Sequence, residues 1–229
     1  MNWEDECFLL SKSKFRENAN IINVFSKSRG KVSGLVYGGT SRKIRNYLQI
    51  SNKLFIIHNS KNENKLGYFK TELVKPISPL YFNDKKRTTA IISLCSILNT
   101  LLPDSQPNIK IYNSFENFLN CLDLDNWIIL FIFFELSLLK ELGYDPSLSN
   151  FKSEISNKSE MNKIKIDNIV YEVPAFLISN QLPKKITNPL VMKSLYFTRN
   201  LIQKRFFIPN NLIFPKSRIL FENYFNLSN

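Results

Sequence analysis

An α+β chain is predicted, with a small five-stranded β-barrel at the amino end and an all-helical domain after it. Three observations predict it. Short apolar runs divided by glycine-bearing and polar turns fill the first eighty residues. Pro76 and Pro79 then interrupt the chain, because neither can join a continuing central strand or helix. Beyond Asp84 the apolar residues recur at helical spacing instead. The expected domains are therefore 1–79 and 80–229.

Phe8-Leu9-Leu10 belongs to a first strand and Ile21 to Phe25 to a second. The turn Lys27-Ser28-Arg29-Gly30 follows, with Gly30 able to take a positive φ at no Cβ cost. Lys31 to Tyr37 reads as a third strand, in which Gly34 marks a bulge or tight bend. Leu54 to His58 and Leu66 to Val74 supply the fourth and fifth. Five short strands in this length fit the OB-fold best, with an SH3-like barrel as the structural rival. Ile91, Leu94, Cys95, Leu98 and Leu102 then form a helical stripe closed by Pro103. Ser114 is the expected cap of a helix carrying Phe115, Phe118 and Leu119, and Asp123 or Asp125 the cap of the next. That helix ends at Leu142-Gly143, where glycine suits the left-handed position and Pro146 forbids continuation. Phe151 to Asp167 is polar and weakly patterned, a loop or poorly formed hairpin. Helices over about 188–205 and 216–225 complete the chain.

Charge is distributed unevenly. The net charge is +12, and residues 18–62 contain no Asp or Glu while carrying Lys27, Arg29, Lys31, Arg42, Lys43, Arg45, Lys53 and Lys61. Such a stretch attracts a polyanion, with an attraction that weakens as salt rises. A codon bias toward lysine accounts for part of the total, though not for the missing acids. Arg42 and Arg45, three apart, share a face on a helical turn. Tyr37, Tyr47, Phe55 and Phe69 are candidate stacking faces for unpaired bases, against the plainer role of barrel core, which suits Phe55 best. The expected DNA-binding residues are Lys27, Arg29, Lys31, Arg42, Lys43, Arg45 and Tyr37, converging on one continuous patch.

Catalytic and metal chemistry find little support. His58 is the only histidine and lies in an apolar run, as a packed residue does. Cys7, Cys95 and Cys121 are far apart, with no CxxC pair, and an odd count argues against a disulfide framework. Gly38-Gly39-Thr40-Ser41 lacks the spacing of a phosphate loop. Asp123/Asp125 and Glu135/Glu141 read as caps and solvated charges rather than magnesium ligands. The acidic start is not expected to act as a signal peptide, and Trp127 to Phe134 is too short to span a bilayer. A binding protein of the cytoplasm is expected, not an enzyme, with no metal and no cofactor. A lipid-surface role would need an exposed apolar helix face.

Several of these segments resemble the RecO family of bacterial DNA repair proteins. The similar features are the basic turn Phe25-Ser26-Lys27-Ser28-Arg29-Gly30-Lys31, the glycine and basic stretch Tyr37-Gly38-Gly39-Thr40-Ser41-Arg42, and the helix from Phe134 to Tyr144 with its Leu-Gly ending. The match continues near Pro174-Ala175-Phe176-Leu177. The resemblance implies an OB-fold joined to a helical domain and a recombination mediator without catalytic residues. It implies binding of single- and double-stranded DNA and annealing of complementary strands. Its implied partners are RecR, the acidic, apolar C-terminal tail of single-strand-binding protein and, indirectly, RecA loaded on coated DNA. Lys184, Lys185, Arg199, Lys204 and Arg205 are the candidates for holding such a tail. Many relatives carry a cysteine zinc motif after the Leu-Gly helix. Here Phe151 stands about where the first cysteine would fall, so an irregular, zinc-free insertion near 151–172 is expected. The alternative reading is an RNA-binding OB-fold module of the translation machinery.

Overall fold

A computed structural model describes residues 2–39, 41–60, 66–154 and 160–226. They form two compact units, Met1–Asn113 with Pro215–Arg218, and Ser114–Phe214 with Ile219–Asn229.

Five strands build the first unit: β1 (Asn2–Phe15), β2 (Ala19–Ser26), β3 (Gly30–Tyr37), β4 (Lys53–Asn59) and β5 (Tyr68–Lys75). They close into a barrel in the order β1-β2-β3-β5-β4. Long β1 pairs antiparallel with β4 through its first half and with β2 through its second. A register shift between Leu9 and Ser11 lets one strand serve two neighbours by bending it. A bulge therefore lies on β1, and a second register shift lies in the β4–β5 pairing between Lys53 and Leu54. At Gly34, where a bulge was expected, β3 runs in unbroken register with β2. Glycine is required there for space: a Cβ would sit 2.4 Å from the ring of Phe69, itself buried in the interior. The barrel closes between β3 and β5 in a parallel pairing at Leu35 and Tyr68. The Leu35 amide also donates to the Gly67 carbonyl at 2.9 Å.

Alternation along each strand sends Cys7, Leu9, Ile22, Val24, Val36, Leu54, Ile56 and Phe69 inward. Helix α1 (Arg42–Tyr47) stands between β3 and β4. Its Ile44 and Tyr47 pack on that interior, together with Leu48 and Ile50 just after it. A five-stranded closed barrel with a helix between its third and fourth strands is the OB-fold. The outward residues Phe8 and Phe25 meet Tyr112 at ring separations of 5.2 and 5.4 Å, so this face of the barrel is covered. Helix α2 (Lys85–Leu101) begins at Asp84, whose carboxylate accepts from the Arg87 amide at 2.9 Å.

The second unit is mostly helical and contains most of α3 (Ile109–Asn120), then α4 (Trp127–Glu141), α5 (Ala175–Ser179), α6 (Asn188–Ile202) and much of α7 (Lys216–Asn223). Two expected caps are corrected. Helix α3 starts five residues before Ser114, capped by Asn108, which accepts from the Ile111 amide at 3.0 Å. Helix α4 starts after Asn126, beyond both Asp123 and Asp125, with no side-chain capping bond. Gly143, at φ +94, ends it as expected. Glu135 is fully buried and accepts from the Thr198 hydroxyl at 2.5 Å, so it is not the solvated charge foreseen. The second part is also not purely helical. Strands β6 (Met161–Ile166) and β7 (Ile169–Pro174) pair in full register around Asp167-Asn168, both at positive φ. That is the backbone a tight hairpin turn requires, and Asn and Asp tolerate it best among residues with a Cβ. A 3-10 stretch over Leu148–Glu154 precedes it, and 155–159 of the expected loop lie outside the described residues.

Two outcomes test this packing. Gly34→Ala is expected to cost about 2 kcal/mol by forcing the Phe69 ring from its seat. Urea unfolding should show a lower midpoint with unchanged slope. Cys7 and Cys95 are buried, and burial pushes both thiols well above their ordinary value; for Cys7 the Asp5 and Glu6 carboxylates add to it. Cys121 is only part-buried. A thiol reagent is expected to label Cys121 first and the other two at the rate of unfolding; mass mapping of the labelled peptides reads the order.

Candidate nucleic-acid interface

The expected DNA-binding residues divide between the two ends of β3. Lys27 and Arg29 occupy the turn that enters it, and Tyr37, Arg42, Lys43 and Arg45 follow its far end. Seven residue steps at ~3.3 Å put these ends on the order of 23 Å apart. The single continuous patch foreseen from sequence is therefore two separate clusters.

At the near end, carboxylates distant in sequence return to the acid-free stretch. Asp5 accepts from Ser26 Oγ at 2.5 Å, from the Ser28 amide at 2.7 Å and from Ser28 Oγ at 2.9 Å. Burial pushes the Asp5 carboxyl up, but these hydrogen bonds outweigh it and hold the group below its usual value. Gly30 takes φ +71, and a Cβ there would strike the Gln106 carbonyl. The Arg29 guanidinium lies 5.7 Å from the Trp3 ring centroid, the Trp3 ring stacking in turn on His58 at 4.9 Å. Lys31 is only 14% exposed and is committed, with Nζ 3.2 Å from Asp104 and donating to the Asn99 carbonyl at 3.0 Å. Lys53 pairs with Glu6 at 2.5 Å. Of this group, Lys27 and Arg29 keep exposed side chains and Lys31 does not.

The far end has a different balance. Arg42, Lys43 and Arg45 are exposed on α1, whose first turn is capped by Ser41 accepting from the Ile44 amide. The Gly38 amide donates to the Asn18 carbonyl at 2.7 Å, which brings the β1–β2 turn and its Arg16 beside the root of α1. Lys12 donates to the Leu48 carbonyl at 2.7 Å. Burial, then the nearby Arg45 charge, lowers the Lys12 pKa. Lys14 is exposed on the same strand. Lys12, Lys14 and Arg16 thus join Arg42, Lys43 and Arg45, while the carboxylate on these segments is that of Glu17 alone. Tyr37 is 64% exposed and meets Tyr68, 41% exposed, at a centroid separation of 6.2 Å. By contrast Tyr47 and Phe69 serve the barrel: Tyr47 Oη donates to the Thr71 carbonyl at 2.8 Å, and Phe69 is interior.

Sequence reasoning missed Lys12, Lys14, Arg16 and Tyr68. The alternation Ser11-Lys12-Ser13-Lys14-Phe15 was a usable signal for an extended β1 with cations on one face. Tyr68 carried no such signal, since its exposure is set by where the barrel closes.

The second unit separates the other five candidates. Arg199 and Lys204 line a cavity of about 510 Å³ beside β7 and α6. Arg199 donates to the two Glu222 oxygens at 2.9 and 3.3 Å and stacks on Tyr196, while Lys204 lies over Tyr171. Arg205 faces Tyr144 at 4.4 Å and pairs with Asp167. Lys184 and Lys185 are exposed in the segment between α5 and α6, and neither lines that cavity.

Among the described residues no helix is long and apolar enough to cross a membrane. Residues 1–77 match the family described as recombination protein O N terminal, and residues 83–151 the one described as recombination protein O C terminal. The chain is similar to proteins named DNA repair protein RecO. That of Ruegeria sp. (strain TM1040) is 31% identical over 150 residues, covering 65% of this chain and 62% of the relative. That of Wolbachia sp. subsp. Drosophila simulans (strain wRi) is 32% identical over 151 residues, with the same coverage. That of Ehrlichia chaffeensis is 32% identical over 162 residues, 70% of this chain and 65% of the relative. The chain thus spans a little under two thirds of the length of these relatives.

The near-end turn yields a pH test. With its folded pKa depressed, Asp5 contributes stability that is complete above the unfolded carboxylate value of about 3.9 and is lost as pH falls through the folded one. Asp5→Asn is expected to cost about 1 kcal/mol near neutrality, modest because the carboxyl is part-exposed. The gap from the parent should close as pH drops below about 4. Urea melts across that range measure it, and a gap independent of pH would deny the ionised carboxylate its role.

Proposed function

This chain belongs to the recombination protein O family, and on that premise we propose that it is a DNA repair and recombination mediator without turnover chemistry. It binds single- and double-stranded DNA in the cytoplasm and anneals complementary strands. The name DNA repair protein RecO borne by its relatives supports the repair role. The observation that carries DNA binding is the far end of the barrel, where six cations from β1, the β1–β2 turn and α1 gather against one carboxylate.

Phosphates are the natural partners of such a cluster. Each contact releases condensed counterions and supplies affinity without reading sequence. Annealing needs two polyanions to approach, and a surface that displaces their counterions lowers the repulsion between them. Arg42, Lys43 and Arg45 with Lys12, Lys14 and Arg16 form the main contact surface, and Lys27 and Arg29 a secondary one. Lys31 holds the barrel to the 104–105 segment and is given no DNA contact.

Protein partners complete the reading. RecR, the tail of single-strand-binding protein and, through them, RecA are the expected set. The cavity beside β7 and α6 is the candidate seat for an acidic, apolar tail: Tyr171 and Tyr196 offer apolar surface and Lys204 offers charge, while Arg199 is already paired with Glu222. Lys184, Lys185 and Arg205 are less suited, being away from its lining.

Arg42→Ala combined with Arg45→Ala is expected to weaken DNA binding roughly tenfold for every sequence and to lower the salt slope by about 1.4 on a single strand. Lys27→Ala with Arg29→Ala should do less. Fluorescence anisotropy titrations at several salt concentrations measure both, with RNA of equal length as competitor. Unchanged binding in the first variant refutes the assignment, and a preference for RNA refutes the DNA reading.

A further inference from the structure

We propose that Tyr37 and Tyr68 form a base-stacking platform that makes the basic end of the barrel favour unpaired DNA over duplex. This rests on the DNA-binding reading above and assigns the pair a role in choosing between strand forms.

The two rings come from strands far apart in the chain and meet because the barrel closes there. Leu35 pairs with Tyr68, and Tyr37 lies two residues further along β3, on the same face as Leu35. Both rings stand in solvent, at 64% and 41% exposure, whereas Phe8, Phe25, Phe69 and Tyr112 of the same unit are buried. Exposing two adjacent aromatic rings forgoes the burial that stabilises the others, so their position does little for the fold. Their backbones are held rigidly by strand pairing, so neither ring depends on a mobile loop for its place.

The geometry matches bases better than a protein side chain or a sugar. The rings lie 57° apart at 6.2 Å, too tilted to sandwich one planar group. Two exposed rings so tilted would each take a base of its own, which suits two neighbouring bases of an extended strand. Cations flank the pair: the turn bearing Arg16 and the root of α1 with Arg42 adjoin Tyr37 through the Gly38–Asn18 hydrogen bond. Lys70 is exposed on the same face of β5 as Tyr68, two residues on. Phosphate contacts and base faces would therefore be met together.

Strand choice follows from what each DNA form exposes. In a duplex the base faces are already covered by their neighbours, so the tyrosines gain nothing from it. In a single strand they are open, and stacking on an aromatic ring adds affinity for any base. Cations bind both forms, while the platform binds one.

The test compares the full chain with Tyr37→Ala/Tyr68→Ala and Tyr37→Phe/Tyr68→Phe on an oligonucleotide carrying 2-aminopurine and on its duplex, at several salt concentrations. The alanine pair is expected to lose about tenfold or more on the single strand, stay within about twofold on the duplex, and keep its salt slope. The phenylalanine pair is expected to bind as the parent does, since stacking needs the ring and not the hydroxyl. The 2-aminopurine fluorescence should be quenched by the parent and the phenylalanine pair alone. Equal losses on both DNA forms, or full single-strand affinity in the alanine pair, overturn the platform while leaving the cationic site standing. A parent chain that binds neither form overturns the DNA reading itself. Circular dichroism melts of both variants confirm that the barrel is intact.

Discussion

Closing five strands into a barrel is the constraint on which the amino-terminal unit depends, and the closure is slender. Strands β3 and β5 pair in parallel at Leu35 and Tyr68, supported by the bond from the Leu35 amide to Gly67. The two strands can approach so closely because Gly34 has no side chain and the Phe69 ring takes the vacant volume. A bent β1 supplies the other half of the closure by pairing with β2 and β4 in turn. Both devices favour the closed sheet over an open one with unpaired edges. The same closure sets Tyr37 beside Tyr68, so the geometry that makes the barrel also makes the surface assigned to DNA.

Charge in sequence and charge in space part company in this protein. The acid-free stretch is real in the chain, yet Asp5, Glu6 and Asp104 reach it through β1 and through the segment after α2. What remains after those pairings is a division by task. Lys31 and Lys53 are structural cations, each close to its own carboxylate. The cations of α1 and of the β1–β2 turn face solvent with little acid around them. A count of lysines and arginines treats the two kinds alike, and only their partners distinguish them.

Much of the fold was legible because its signals are local. Five strands, the end of the fifth at Lys75 just before Pro76, the helical stripe of α2 and the Gly143 stop all follow from neighbours within a few residues. The helix starts at Asn108 and Asn126 were not, since Ser114, Asp123 and Asp125 carry the same capping chemistry a few residues away. The β6–β7 hairpin is legible only as a loop or poorly formed hairpin, since its alternation of lysine and isoleucine lasts barely six residues. Glu135 looked like a surface charge because Thr198, its buried donor, lies 63 residues away. The site was half legible for the same reason. Arg42 and Arg45 announce themselves as neighbours, whereas the pairing of Tyr37 with Tyr68 and of Lys12 with the end of α1 exists only once the strands are in register.

Distance then decides how the two clusters combine. They sit on the order of 23 Å apart along β3, and at physiological ionic strength the screening length is about 8 Å. The carboxylate beside Lys31 therefore does not cancel the field at α1, nor does α1 strengthen the weak field at the 27–29 turn. Far from the surface the net charge of +12 draws any polyanion inward. Within a screening length, local composition alone chooses where it lands, and the end built by α1 and the β1–β2 turn is the one left uncompensated. Mixed surroundings at the other end make it a poor anchor, though one still open to a second strand already held nearby. On the proposed reading, one strong and one weak contact would suit a strand that is held and then released.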